Sequence, residues 1–289
     1  MTALRETANP TDPTPESLLP PEPASLEATG LSEGLLLDLL AKVMYRNGLE
    51  RASALAEVVK LPVRLVDELL ERAIRLRLVE TLGQRGGCIT AEMRHGLTAK
   101  GREWALEALS QNDYAGAAPV PLATHAAQVA RQTIRGEALR RPALERVFAG
   151  LTLAPDLVHK LGPAANSGAS MLLYGPPGNG KSSIAEALCR AFGAHVWIPY
   201  AVEVDRQIVT VFDPAVHAAV PEAERDGQAL RRPRRADRRF VQCRRPRIIA
   251  GGELTLDMLD LAFSPMSRIY ESPMQLKAAG GVLVIDDFG

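Results

Sequence analysis

The stretch Gly175-Pro176-Pro177-Gly178-Asn179-Gly180-Lys181-Ser182-Ser183 decides how the chain is read. Four residues separate its first glycine from Gly180-Lys181-Ser182, an apolar run precedes it at residues 171–174, and a helical pattern follows at residues 184–192. A strand, a loop and a helix in that order form the setting in which a phosphate-binding loop works. The glycines let backbone N–H groups turn inward around phosphate oxygens, where side chains would block the approach. Lys181 is then placed to reach the β and γ phosphates, and the Ser182 hydroxyl to ligate Mg2+. The following helix adds its unpaired amides and dipole to the attraction for an anion. The expected nucleotide-binding residues are therefore Gly175, Pro176, Pro177, Gly178, Asn179, Gly180, Lys181, Ser182 and Ser183.

A second signal lies at Gly281-Val282-Leu283-Val284-Ile285-Asp286-Asp287-Phe288-Gly289. Four apolar residues ending in two acids predict a buried parallel strand that delivers carboxylates at its C-terminal edge, the edge from which the phosphate loop also emerges. Asp286 is the expected acceptor for the water shell of Mg2+.

Composition narrows the classes. The 289 residues are 46% hydrophobic, enough for two domains and a substantial core. No apolar run approaches the length of a bilayer span, and the acidic, proline-rich start is unlike a secretory signal, so no membrane insertion and a cytoplasmic location are expected. Cys88, Cys189 and Cys243 are isolated, with no spacing that suggests a disulfide framework or a zinc site. The formal net charge of zero hides a cluster: Arg225, Arg231, Arg232, Arg234, Arg235, Arg238, Arg239, Arg244, Arg245 and Arg247 crowd one interval. Glu222, Glu224, Asp226 and Asp237 offset them in part. Such a field either tracks a DNA or RNA phosphate backbone or docks an acidic protein neighbour.

Taken in order, residues 1–30 read as a disordered tail, with prolines at 10, 13, 15, 20, 21 and 23 and little apolar surface. An amphipathic helix is expected over residues 35–45, a short one over 52–59, and a third after Leu61 with Pro62 at its first position. Val66, Leu69, Leu70, Ala73 and Ile74 supply the buried face of the third. Residues 78–82 and 88–93 predict two strands around a glycine-containing turn. A further turn at His95-Gly96 precedes a last helix that Thr98 caps and Trp104 anchors. Residues 112–143 read as linker and helical connector. Beyond the phosphate loop, residues 196–200 and 202–211 are β-prone with a turn at 203–206, residues 240–241 and 246–250 suggest further strands, and 253–262 looks helical.

The three helices, two-stranded wing and closing helix over residues 31–111 resemble a winged-helix domain, with Leu97-Thr98-Ala99-Lys100-Gly101-Arg102 similar to the start of the last helix in many bacterial members. In DNA-binding members the third helix enters the major groove. Arg64, Arg72, Arg75, Arg77 and Arg85 are the candidate contacts, but Asp67, Glu68 and Glu71 share that helix. DNA binding, protein docking and a purely structural winged helix all stay open.

The phosphate loop and acidic strand together resemble the core of an AAA+ ATPase over residues 144–289. The resemblance implies an α/β fold: a P-loop NTPase core with a parallel sheet, truncated on its C-terminal side, carrying an arginine-rich insertion near 222–247 and preceded by the winged helix. It implies ATP and Mg2+ as cofactors, Lys181 and Asp287 as catalytic residues, and Ser182 and Asp286 as metal ligands. Asp287 stands where the family often has glutamate to polarise the attacking water. The Asp286-Asp287 pair is similar to that of helicase-loader and transposition-helper ATPases. The sequence ends two residues after this pair, so the chain is expected to be a piece whose parent hydrolyses ATP. That parent is expected to assemble as a homo-oligomer and to remodel a protein client or a nucleic-acid assembly. The alternatives are a helicase-loader-like or transcription-associated DNA-binding ATPase, and a regulatory nucleotide-binding switch without turnover.

Overall fold

A computed structural model of the chain describes residues 18–83, 92–136, 138–193, 195–221 and 235–286. The first helix, α1 (Glu33–Asn47), starts where the Ser32 hydroxyl accepts a hydrogen bond from the Leu35 N–H. It stops at Gly48, whose left-handed backbone (φ 61°) returns its N–H to the Met44 carbonyl. Leu36, Leu39, Leu40 and Val43 are buried as the apolar stripe requires. They meet α2 (Ala52–Val59) and α3 (Val63–Arg75) in one core. Pro62 caps α3 from outside it, its carbonyl taking the Leu65 and Val66 amides. Leu65, Val66, Leu69, Leu70 and Ala73 form the inner face of α3, whereas Ile74 is exposed.

Strands β1 (Val79–Gly83) and β2 (Arg94–Leu97) pair antiparallel, with Val79 opposite Leu97 and Thr81 opposite His95. His95 and Gly96 thus lie within the returning strand instead of forming a turn, because the ladder runs on until Leu97. Most of the strand expected at residues 88–93 falls outside the described residues, as does Arg85. Thr98 caps α4 (Ala99–Gln111) by accepting from the Gly101 N–H. A Cβ on Gly101 would sit 1.9 Å from the Leu78 carbonyl oxygen, so only glycine lets α4 close onto β1. The Trp104 indole N–H donates to Asp38 on α1.

Residues 18–31 depart from the expected tail. Leu26 and Leu31 are buried in the helical core, and the Arg64 guanidinium donates to the Pro23 and Ala24 carbonyls. The leucines find an apolar surface ready-made by α1 to α3, so the low apolar content of the segment as a whole does not decide its fate. Residues 1–17 lie outside the description.

The rest is mixed α/β. In order come β3 (Val120–Pro121), α5 (Leu122–Arg131), α6 (Arg141–Phe148), α7 (Pro155–Asn166), α8 (Lys181–Cys189), β4 (His195–Pro199), β5 (Ala201–Val204), β6 (Gln207–Thr210), β7 (Phe240–Arg244), β8 (Arg247–Ala250), β9 (Ala262–Ser264), β10 (Ile269–Glu271), α9 (Met274–Lys277) and β11 (Val282–Ile285). A five-stranded sheet has the order β3-β5-β6-β10-β9, while β4 pairs with β7 and β8 with β11. The β5–β6 hairpin turns at Asp205 and Arg206, both at positive φ (49° and 67°), the conformation of a type I′ turn that suits the strand twist.

Two expectations change here. In place of a helix over 253–262 there is a short 3-10 turn at Leu256–Leu259 followed by β9, where Phe263 packs its ring on Tyr270 of β10 at 5.0 Å. The parallel core is represented at the acidic strand by the two-stranded β8–β11 pair alone, and residues 171–174 carry no strand pairing. They still alternate as a strand would. Met171 and Leu173 pack on the cluster of Leu144, Phe148, Leu161, Ile184 and Ala187, while Leu172 and Tyr174 face outward at 76% and 88% exposure. Among the described residues no helix is long and apolar enough to cross a membrane.

Candidate functional site

The loop before α8 is exposed from Gly175 to Gly180 and places Pro176, Pro177 and Asn179 on the surface. Gly175, Gly178 and Gly180 sit at φ 149°, 81° and 71°. A Cβ on any of them would meet nothing within 4 Å, so backbone conformation, not crowding, demands glycine there. Gly180 caps α8, and its carbonyl takes the first intrahelical bond from the Ile184 N–H at 2.9 Å. The amides of Lys181, Ser182 and Ser183 belong to the first turn and have no partner one turn back. Together with the helix dipole they make the mouth of α8 a place for an anion. The Lys181 ammonium folds back over the loop, donating to the Gly175 and Pro176 carbonyls at 3.1 Å each.

Strand β11 brings the acid to this mouth. Its parallel register on β8 pairs Ile285 with Ala250, and the Asp286 N–H extends the ladder to the Ala250 carbonyl at 2.7 Å. The Ser182 hydroxyl donates to Asp286 Oδ2 at 2.6 Å, across 104 residues of sequence. A hydroxyl and a carboxylate oxygen this close are hard donors of the type Mg2+ takes, and Mg2+ needs only one or two protein ligands when phosphates and water complete its shell. Among the described residues no group of three or more His, Cys, Asp or Glu side chains is placed to hold a metal ion. Asp287 lies outside the described residues.

The arginine cluster divides. Arg225, Arg231, Arg232 and Arg234 fall outside the description, as do Glu222, Glu224 and Asp226. Arg239 is buried at 2% exposure, forked onto the equally buried Asp237 and donating to the Thr29 and Pro119 carbonyls. Arg245 is buried too. Arg238 pairs with Glu57 of α2, while Arg235, Arg244 and Arg247 remain exposed. The expected surface field therefore loses at least two of its charges to the interior. On α3, Arg72 pairs with Glu33 and Glu68 at 2.6 Å each, and Arg64 holds the N-terminal segment.

One arrangement escaped the sequence reading. His217 is 2% exposed; its Nδ1 accepts the Asp213 N–H at 2.9 Å and its Nε2 faces the Lys277 carbonyl at 2.8 Å. An amide on one side and a carbonyl on the other fix the neutral ring with its proton on Nε2. Burial pushes its pKa down, and the Lys277 ammonium bonds the Asp213 carboxylate at 2.7 Å. A histidine four residues after Asp213 was the only sequence sign, and its partner lies 60 residues away. A separate hollow lined by Glu186, Cys189, Arg190, Arg247 and Ile249 opens between α8 and β8 and includes no residue of the phosphate loop.

Residues 171–234 match the family described as ATPase family associated with various cellular activities (AAA). No curated protein matches the chain. The matched stretch holds the whole glycine loop and α8 but stops before β11, so Asp286 joins the site through the geometry just described. Residues 171–234 thus carry part of an AAA ATPase family domain, which includes the glycine loop.

Proposed function

We propose that this chain is the nucleotide-binding part of an AAA+ ATPase that holds Mg2+ and ATP between the residue 175–183 loop and Asp286. One observation carries the reading: the 2.6 Å Ser182–Asp286 contact unites two motifs recognised separately in the sequence. The loop amides and the first turn of α8 bind the phosphates. Lys181 exchanges the Gly175 and Pro176 carbonyls for phosphate oxygens and neutralises charge as it builds. Ser182 and Asp286 hold Mg2+, which when bound screens the phosphate charge and aligns the phosphoryl group for transfer. Asp287, next along the chain, orients the attacking water.

In this reading residues 144–289 form the ATPase portion, residues 31–111 a winged helix that recruits a protein client, and the parent assembles as a homo-oligomer whose turnover remodels that client. The internal pairing of Arg64 and Arg72 favours protein docking over DNA reading by α3. Calorimetric titration of Mg2+·ATP into the chain tests the nucleotide assignment. Lys181→Ala is expected to weaken binding at least ~10-fold, as loss of a charged hydrogen-bonding partner does. Equal affinity in the variant rejects the assignment.

A further inference from the structure

Arg245 entered the sequence reading as one member of a surface cluster. Its guanidinium instead lies inside the protein, where Nε donates to the Gly193 carbonyl at 2.8 Å and Nη1 donates to the Gln132 carbonyl at 2.9 Å and to the Gly280 carbonyl. These acceptors flank three different elements. Gly193 lies in the loop between α8 and β4, Gln132 is the C-cap of α5, and Gly280 stands two residues before β11. Resting on the nucleotide reading above, we propose that Arg245 is a positioning residue for the Mg2+ site: it fixes the spacing of α8 and β11, and so the meeting of Ser182 with Asp286.

Two stretches of chain are pinned at both ends. From Ser182 the chain runs along α8 and out to Gly193, while from Gly280 it runs along β11 to Asp286. At one end the pair is joined by Ser182 and Asp286, and at the other by Arg245. Asp286 stands at the tip of the four-residue strand, several residues beyond Gly280, so a small tilt of β11 about a loosened base moves its tip out of hydrogen-bond reach of Ser182. A planar, always-charged fork is suited to holding several carbonyls in fixed directions, which the single ammonium of lysine is not.

The surroundings leave β11 little other freedom at its base. Gly280 has φ 77°, and the Val282 N–H bonds the Pro246 carbonyl at 3.0 Å, beside Arg245 in sequence. Gln132 extends the clamp, since its side chain bonds both the N–H and the carbonyl of Trp197 on β4, each at 2.9 Å. One buried side chain thus ties the loop that leaves α8 to the end of α5 and to the turn before β11, with β4 attached through Gln132.

The test separates positioning from general stability by dividing nucleotide affinity into its Mg2+-dependent and Mg2+-independent parts. Titrations of ATP into wild type, Arg245→Lys, Ser182→Ala and the double variant are run with Mg2+ and with EDTA. Arg245→Lys is expected to reduce the Mg2+-dependent gain about 10-fold or more while affinity in EDTA stays within about twofold, because the glycine loop and Lys181 are local to themselves. In the double variant the two losses do not add, since both act through the Ser182–Asp286 contact. Equal losses with and without Mg2+, additive losses, or a lysine variant that no longer folds by circular dichroism would each overturn the proposal. Wild type with no Mg2+-dependent gain at all would instead sink the nucleotide reading on which the proposal stands.

Discussion

Gly281→Ala tests how closely β8 must approach β11. A Cβ at residue 281 would lie 2.2 Å from the Pro246 carbonyl oxygen and 3.0 Å from its carbonyl carbon, both backbone atoms that cannot rotate away. Relief requires the half-buried β11 to separate from the Pro246 backbone by roughly 1 Å, against the hydrogen bonds that join the two. The hydrogen bond that suffers first is Val282 N–H to the Pro246 carbonyl, now 3.0 Å. Losing it costs about 1 kcal/mol, and the overpacking about 1–3 kcal/mol more, giving a destabilisation of about 2–4 kcal/mol. The same displacement, carried along β11, stretches the 2.6 Å Ser182–Asp286 contact beyond hydrogen-bonding range, so the Mg2+-dependent gain in ATP affinity is lost along with the stability. Urea unfolding followed by circular dichroism, paired with titrations with and without Mg2+, measures both. Gly252→Ala is the control: a Cβ there meets nothing within 4 Å, and a change within about 0.5 kcal/mol is expected. A Gly281→Ala protein as stable as that control, with its Mg2+ dependence intact, refutes the reasoning.

Burial holds the pKa of both His125 and His217 below the ordinary histidine value of 6.5, so below that pH the unfolded chain binds more protons than the folded one. Stability is therefore full above about pH 6.5 and falls as the pH drops through the lowered folded-state values. His217→Gln should show a shallower acid loss between pH 7.5 and pH 5 in urea midpoints, and an unchanged slope would remove His217 from the account. Arg239→Met leaves Asp237 buried without its forked partner and should cost about 3–5 kcal/mol, much of it recovered in the Arg239→Met, Asp237→Leu double variant; a single variant of near-native stability contradicts the buried pair. Because Arg72 is tied to Glu33 and Glu68, replacing Arg72 and Arg75 with glutamine should lower stability and leave duplex DNA affinity at low salt unchanged. Weaker binding with a flatter salt dependence would show instead that α3 contacts phosphates.

Local rules decided much of this protein. Serine and threonine before α1 and α4, glycine after α1, and the apolar stripe of α1 fall where capping and periodicity place them, since each depends on residues within a turn or two. The glycines of residues 175–180 were legible for the same reason: positive φ is a property of the residue itself. Gly101 and Gly281 look no different in sequence, yet they are required because another backbone, Leu78 or Pro246, passes where a Cβ would sit.

What only the tertiary structure decided concerns charge and partners distant in sequence. A run of arginines reads as a solvated surface because nothing in the run distinguishes its members. Folding buries Arg239 on Asp237 and Arg245 on three carbonyls, and leaves Arg244 and Arg247 outside. The fate of residues 18–31 likewise rested on surfaces assembled elsewhere, α1 to α3 under Leu26 and Leu31 and the β4–β7 core under Leu18 and Leu19, which no local composition encodes. Composition, period and backbone preference act over a few residues and can be read in order. The hydrogen-bond partners of a buried guanidinium, and the meeting of Ser182 with Asp286, exist only once elements far apart in the chain have been packed together.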